Sequence, residues 1–122
     1  MNYKELDVYK RSYSLAIEIH RLASRLPREY KFDLSDQIRR ASRSIPSNIA
    51  EGFTRSKSKK DTINFLRDSL GSNNEMIFNI EFMRDVAILT NEKSKHLFEE
   101  YTIVGKQLFR LIESLDLSIT NN

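Results

Sequence analysis

Ser44-Ile45-Pro46-Ser47-Asn48-Ile49-Ala50-Glu51-Gly52 is the stretch on which the fold turns. Ile45, Ile49 and Phe53 recur at helical spacing, and Leu34, Ile38 and Ala41 extend the same line upstream in steps of three and four. Pro46 lies inside that line. A proline there removes one backbone hydrogen bond and costs about 3 kcal/mol or bends the helix. The apolar register continues across it, so the pattern predicts a single helix over 34–54, kinked at the proline, rather than two helices.

Working outward, Val8, Leu15, Ile19, Leu22 and Leu26 form a stripe widened by Tyr9, Tyr13 and Ala16. This predicts a first helix over about 6–25, closed by Pro27. Asp33 is the expected N-cap of the second helix, with Asp36 placed to favour the positive end of its dipole. Gly52 comes near the end of that helix, and Arg55-Ser56-Lys57-Ser58-Lys59-Lys60 is the connection. Ser58 followed by Asp61 has the form of a capping box, so the third helix is predicted over 59–87.

The third stripe is Ile63, Leu66, Leu70, Ile77, Ile80 and Ala87, flanked by Phe65, Met76 and Met83. Gly71-Ser72-Asn73-Asn74 forms helix poorly. The seven-residue step from Leu70 to Ile77 nevertheless keeps the stripe on one face, so one continuous helix is expected, its small residues letting a neighbouring backbone approach. Thr90-Asn91 opens a fourth helix over 91–116, where Leu97, Tyr101, Val104, Leu108, Leu111 and Leu115 step by four and three. Ser118 to Asn122 should fray. Four amphipathic helices with short links predict an all-α, antiparallel up-down-up-down four-helix bundle, a single domain over 1–122.

Composition narrows the function classes. The chain has 122 residues, 39% of them hydrophobic and 30% charged, enough to bury a core. No apolar run approaches the roughly 18–20 residues that span a bilayer, so no membrane partner is expected. Met1-Asn2-Tyr3-Lys4-Glu5 lacks the apolar centre of a signal peptide. With no cysteine there is no disulfide framework, thiolate nucleophile or Cys-based zinc site, and a cytoplasmic protein is expected. A di-iron or di-manganese carboxylate centre needs Glu-x-x-His on two helices, but Ile17 precedes His20 by three places and Lys93 precedes His96. No Gly-x-Ser-x-Gly elbow occurs. Gly52-Phe53-Thr54-Arg55-Ser56-Lys57 lacks the second glycine and the Gly-Lys-Ser/Thr ending of a phosphate loop. No catalytic residue, metal or cofactor is therefore assigned, and no enzyme is expected.

Charge carries the functional signal. Residues 1–60 hold 14 Lys+Arg against 7 Asp+Glu, a net +7, and residues 61–122 hold 6 against 10, a net −4. Such a division suits an anionic partner or head-to-tail self-association, although mixed solvated faces give the same tally. Arg39 and Arg43 lie one helical turn apart with Arg40 beside them, and guanidinium forks on a rigid helix suit phosphate oxygens. Arg55, Lys57, Lys59 and Lys60 flank a helix N-terminus, where backbone N–H groups also favour anions. Only Phe53 is an aromatic close by, so backbone binding rather than base stacking is indicated. Glu51 and Glu75 read either as paired acids or as part of a structural polar network between helices two and three, with Ser44, Asn48, Ser72 and Asn73 as partners.

The quoted stretch, preceded by Gln37-Ile38-Arg39-Arg40-Ala41, resembles the signature of the bacterial 23S ribosomal RNA intervening-sequence proteins. Leu6-Asp7-Val8-Tyr9-Lys10 with Ala16 is similar to that family's opening helix, and Phe65-Leu66 with Gly71-Ser72 and Glu75 to its third. The resemblance spans about residues 5–115, and Asn73-Asn74 departs from it where more apolar residues are expected. It implies structural roles for Ser44, Pro46, Asn48, Glu51, Gly52, Gly71 and Glu75, a homopentamer, and no enzymatic activity. It also implies a fold similar to the accessory protein of diversity-generating retroelements, a basic pentamer that binds nucleic acid and works with a reverse transcriptase.

Two functions follow as expectations. One is a non-enzymatic oligomeric protein binding RNA or DNA through Arg39, Arg40, Arg43, Arg55, Lys57, Lys59 and Lys60. The other is a scaffold or accessory subunit for a protein such as a reverse transcriptase. Tyr9, Tyr13 and Ala16 on helix one, and Phe65, Phe78 and Phe82 on helix three, exceed what one stripe per helix needs. Side chains of that size bury about 150–250 Å² each, so their surplus predicts self-association. A basic half and an acidic half suit a heterologous interface, which closes into a ring when the rotation permits; five is the number the resemblance implies.

Overall fold

The structure, a computed structural model, describes residues 2–120. Four α-helices account for most of them: α1 Asp7–Ala23, α2 Asp33–Thr54, α3 Lys59–Asp85 and α4 Asn91–Thr120. Two single 3₁₀ turns, Tyr3–Glu5 and Arg28–Tyr30, precede α1 and α2, and no strand occurs among the described residues. In the first, the Asn2 side chain accepts a 3.0 Å hydrogen bond from the Lys4 amide. Leu6, extended at φ −65° and ψ 131°, then turns the chain into α1. Contacts join α1 to α2, α2 to α3, α3 to α4 and α4 back to α1, with no diagonal pair among the described residues. One apolar core fills the middle, in which Ile19, Ile38, Ile45, Ile49, Leu66, Met76, Leu97, Val104 and Leu108 are fully buried.

The second helix starts differently from its sequence signal. Phe32 occupies the N-cap with no side-chain cap bond, and Asp33 falls inside the first turn beside Asp36. There both carboxylates still face the positive end of the helix dipole, a favourable placement that a cap bond is not needed to explain. Pro46 sits buried within a helix that continues on both sides of it. The link to α3 is held by side-chain hydroxyls: Ser56 Oγ donates to the Gly52 carbonyl at 2.6 Å and lies 2.6 Å from Thr62 Oγ1. Ser58 caps α3 by accepting from the Asp61 amide at 3.1 Å, while Asp61 accepts from the Lys57 amide at 3.1 Å.

Helix α3 is continuous through Gly71-Ser72-Asn73-Asn74, but its buried line is not the apolar one. Leu66, Ser69, Asn73, Met76, Ile80 and Met83 form the seam, whereas Leu70 and Ile77 are only partly buried beside it. Two polar residues stand in the seam because each reaches a carbonyl on a neighbouring helix. Ser69 Oγ donates to Ile45 O at 2.8 Å and Asn73 Nδ2 to Tyr101 O at 2.9 Å. The departure at Asn73 is thus an inter-helix hydrogen bond from α3 to α4, not a member of an α2–α3 network.

Ala87 is not part of the stripe either. It is exposed at φ 61° and ends α3. Its amide bonds Arg84 O at 3.0 Å and the Ile88 amide bonds Met83 O at 2.8 Å, the pair of bonds that closes a Schellman cap. Thr90 Oγ1 then accepts from the Lys93 amide at 3.1 Å to start α4. In α4 Ile112 takes the buried place and Leu111 is half-buried. The helix runs on to Thr120 where fraying from Ser118 was expected, and Ser118 Oγ accepts from Lys59 Nζ on α3. Asn121 and Asn122, included in that expectation, lie outside the described residues.

Candidate nucleic-acid interface and association faces

The seven cationic residues do not form one site. Arg39, Arg40 and Arg43 sit midway along α2, while Arg55, Lys57, Lys59 and Lys60 surround the α2–α3 turn. At about 1.5 Å per residue, Arg39 and Arg55 are roughly 24 Å apart along the chain. Each helical residue also rotates the side chain by about 100°, which separates sequence neighbours. Arg39 and Arg43 turn towards α1: Arg39 donates to the His20 carbonyl at 3.3 Å, and Arg43 lines a groove with α1 residues. Arg40 turns the other way, into a hollow shared with Phe32, Gln37 and Glu75 of α3.

The electrostatics differ among them. Arg40 is held by Asp36 at 2.5 Å, an exposed pair one turn apart. That hydrogen bond holds the Asp36 carboxyl below its ordinary range and raises the Arg40 guanidinium. Among the described residues, no ion pair is formed by Arg39, Arg43, Arg55, Lys57, Lys59 or Lys60. Arg43 Nε donates to the Arg39 carbonyl at 3.3 Å, leaving its charge uncompensated by a carboxylate. Lys59 is engaged with Ser118, and Arg55, Lys57 and Lys60 are exposed.

The motif residues divide between structure and surface. Asn48 Nδ2 donates to the Ser44 carbonyl and to Ser44 Oγ, each at 2.9 Å, and Ser72 Oγ donates to Ser44 Oγ at 2.9 Å. This small network ties α2 to α3 as expected of Ser44, Asn48 and Ser72, but Glu51 is half-buried outside it and Glu75 is exposed. Gly52 is where α3 comes closest: a Cβ there would lie 3.1 Å from Phe65 Cβ. Gly71 has no such role, since a Cβ there would meet nothing within 4 Å. The close approach to α4 occurs instead at Gly105, whose Cβ would sit 3.0 Å from Asn73 Nδ2.

Pro46 belongs to a feature that sequence spacing did not disclose. With Ser47 and Ala50 of α2 it forms one wall of a groove of about 500 Å³, facing Tyr9, Tyr13, Ala16 and Ile17 of α1. Tyr3 of the first 3₁₀ turn meets Tyr9 edge to face with ring centroids 5.0 Å apart, and Tyr9 lies tilted against Tyr13 at 5.8 Å. Tyr13 remains 52% exposed and Ile17 41%. His20, Arg21 and Arg43 supply the rim. On α3 and α4 a second apolar surface includes Leu70, Ile77 and Phe109, with Phe109 59% exposed, and continues past Ile80 to Phe98. The signal for the α1/α2 groove was present as aromatic surplus on helix one, whereas the second surface takes its aromatics, Phe109 and Phe98, from α4 rather than from Phe65, Phe78 and Phe82 of helix three.

A third set of polar contacts joins α1 to α4. Arg11 Nη1 meets both oxygens of Glu100 at 3.0 and 3.1 Å, and Gln107 Nε2 donates to Asp7 at 2.6 Å. Glu18 accepts from Lys93 Nζ and lies 3.4 Å from His96 Nε2. Burial pushes the Glu18 carboxyl up, but the Lys93 and His96 contacts outweigh it and leave it below 4.5. Among the described residues no helix is long and apolar enough to cross a membrane, and no group of three His, Cys, Asp or Glu residues is arranged to hold a metal.

The family model described as 23S rRNA-intervening sequence protein matches residues 4–110. A crystal structure of a protein with unknown function from the S23 ribosomal protein family of Bacteroides thetaiotaomicron VPI-5482 is similar, with a TM-score of 0.80 and 31% sequence identity. The match covers 87% of this chain and 95% of that one. No curated protein matches the chain.

Proposed function

The chain belongs to the 23S rRNA-intervening sequence protein family, and from that premise we propose that it is a non-enzymatic cytoplasmic protein that binds nucleic acid, RNA first, through phosphate contacts and works as a ring-like homo-oligomer, a pentamer. The observation that carries the binding reading is the set of cationic side chains left without carboxylates, above all Arg43, Arg55, Lys57 and Lys60. Arg39 and Lys59 join through groups already engaged with Ser118 or a carbonyl, and Arg40 joins by exchanging Asp36 for phosphate. The two cationic groups lie too far apart for one phosphate, so the reading is an extended strand tracked along α2 rather than a pocket.

The architecture proposed with it is an antiparallel up-down-up-down bundle. It is supported by inter-helix partners that run in opposite senses: Asp7, Arg11 and Glu18 of α1 pair with Gln107, Glu100 and Lys93 of α4. On α2 and α3, Ser44 pairs with Ser72 and Ser56 with Thr62. A bend at Pro46 belongs to the same reading, because proline cannot donate to the carbonyl four residues before it.

The test is binding of single-stranded RNA and duplex DNA across a salt series. The slope of log affinity against log salt should be near −0.7 per contact for single strands and −0.9 for duplex DNA. A flat salt response, or no binding at low salt, refutes the proposal. The exposed aromatic surfaces favour a second reading, a scaffold for a protein partner such as a reverse transcriptase. Charge reversal at Arg39, Arg40 and Arg43 separates the two: loss of the oligomer in a chain that never bound nucleic acid favours the scaffold.

A further inference from the structure

Helix α4 carries a pattern that the α2 cluster lacks. Lys95, Phe98, Thr102, Lys106 and Phe109 recur by three, four, four and three, with Arg110 next to the last, so they form one stripe along the helix. Leu97, Tyr101, Val104 and Leu108 fill the core, and the stripe runs outside them along the border with α3. Two hollows of similar make-up lie on that border. One, of about 380 Å³, sets Phe109, Lys106 and Arg110 of α4 against Leu70 and Ile77 of α3. The other, of about 550 Å³, sets Phe98 and Lys95 of α4 against Ile80 and Arg84 of α3. Both phenylalanines are exposed. Phe109 follows Phe98 by eleven residues, which is roughly 16 Å and close to three full turns, so the two rings project to the same side. Lys95, Lys106 and Arg110 form no ion pair among the described residues, whereas Arg84 is held by Asp85 at 3.0 Å. Glu81 lines the Phe98 hollow and no carboxylate lines that of Phe109. Glu100 is paired with Arg11 of α1, and Glu99 and Glu113 line neither hollow. This cationic strip lies in the half of the chain whose net charge is −4, where a tally by halves hides it.

We propose that the α3/α4 border is a stacking platform for single-stranded RNA, with bases laid on Phe109 and Phe98 and phosphates held by Lys106, Arg110 and Lys95. The inference rests on the nucleic-acid reading above and deepens it: α2 holds backbone alone, and α4 grips the bases as well. A phenyl ring offers its face to any base, so this contact is tolerant of sequence. An exposed ring by itself suits any apolar partner. Two exposed rings, each with an unpaired cation within a turn of it, suit a chain that alternates flat rings with single negative charges, which is the make-up of a nucleic-acid strand. A duplex keeps its base faces stacked inside, so only unpaired nucleotides reach the phenylalanines. The Phe109 hollow, with two free cations and no carboxylate, is the stronger contact. The Phe98 hollow is the weaker, because Glu81 faces the strand there and Asp85 occupies Arg84.

Because the chain has no tryptophan, a single indole placed at either ring reports on its own surroundings. The probe is oligoadenylate RNA of about 12 nucleotides at low salt. Phe109→Trp should bind it with its fluorescence quenched, Phe98→Trp should be quenched less, and Ile103→Trp, which lines neither hollow on α4, should not respond. Phe109→Ala should weaken RNA binding about 5–150-fold, the loss expected for one base–aromatic stack. Its salt slope should stay at the wild-type value, since no phosphate contact is removed, and its affinity for duplex DNA should not change. Lys106→Gln should lower the slope by about 0.7 instead. A Phe109→Trp protein that binds RNA without quenching, or a Phe109→Ala protein with wild-type RNA affinity, overturns the platform and leaves the α2 contacts standing. Equal loss of RNA and duplex binding in Phe109→Ala also overturns it. So does a fall in the Phe109→Ala mass by light scattering, which would make the ring a contact between copies. A wild-type chain with no affinity for the oligonucleotide at low salt overturns the platform and the nucleic-acid reading together.

Discussion

Replacing Ala87 by glycine should make the protein more stable. Ala87 holds φ at 61°, where an L side chain brings its Cβ against the following carbonyl at a cost of about 1–2 kcal/mol. The strain is maintained by the two bonds that close α3, Ala87 N to Arg84 O and Ile88 N to Met83 O. Glycine removes it without touching either bond, and Ala87 is exposed, so no packing is lost. Against this, glycine adds about 0.4–1 kcal/mol of chain entropy to the unfolded state. The expected net gain is about 0.5–1 kcal/mol. With an unfolding entropy of about 2.1 cal/mol/K per residue, the 122-residue chain gains roughly 2–4 °C in Tm. Ala87→Val is the counter-experiment, since a β-branched side chain tolerates positive φ least and should lower Tm. Both are read by thermal unfolding in far-ultraviolet circular dichroism at one protein concentration, because association shifts Tm by mass action. A glycine variant less stable than the parent, or a valine variant equal to it, would refute the left-handed cap.

The remaining glycines should respond with opposite signs. Gly71→Ala fills open space on a helix and should add about 0.5–1 kcal/mol, whereas Gly105→Val drives a branched side chain into Asn73 and should cost about 1–3 kcal/mol, both by urea titration. Arg43→Gln should reduce the salt slope for single-stranded RNA by about 0.7, while Arg84→Gln, paired with Asp85, should leave it unchanged. Glu18 has a depressed folded-state carboxyl, so its contribution is present above 4.5 and lost as pH falls through the lower folded value. Glu18→Gln should therefore flatten the acid side of the stability profile, and an unchanged acid limb would count against the Lys93 link.

The helices were legible because their apolar steps are long and regular, and Ser58 and Thr90 announce two of the starts by their side-chain oxygens. The seam of α3 was not, because Ser69 Oγ and Asn73 Nδ2 donate to the Ile45 and Tyr101 carbonyls, and an apolar count passes over polar residues whose partners are remote in sequence. Asp33 misled for a related reason: a carboxylate in the first turn and one at the cap are equally acidic in sequence, and only the φ of Phe32, at −85° with ψ −53°, separates them. At the candidate interface, charge type was legible and charge placement was not. Arg39 and Arg40 are neighbours in sequence, but the step of about 100° between successive helical residues sends one to the His20 carbonyl on α1 and the other into the hollow beside Glu75 of α3. The α1/α2 groove depends on helix-to-helix docking, which no local pattern encodes.

The α3 seam repeats every seven residues, with Leu66, Asn73 and Ile80 on one line and Ser69, Met76 and Met83 on the other. An all-apolar seam of that period would pack almost as well if α3 slid by two turns along its neighbours, since leucine would meet what isoleucine had met. Here the slide would carry Ser69 away from the Ile45 carbonyl and Asn73 away from the Tyr101 carbonyl, leaving both in apolar surroundings. Each stranded group costs about 1–3 kcal/mol, a large share of the roughly 5–15 kcal/mol by which a domain is stable. Asn73 also needs Gly105 opposite it, since any side chain there would crowd the amide. The two polar residues therefore act as a ratchet stop: the correct alignment keeps Ser69 Oγ and Asn73 Nδ2 bonded, with Asn73 Oδ1 buried and unpaired even there, and the misaligned helix pair strands both donors as well.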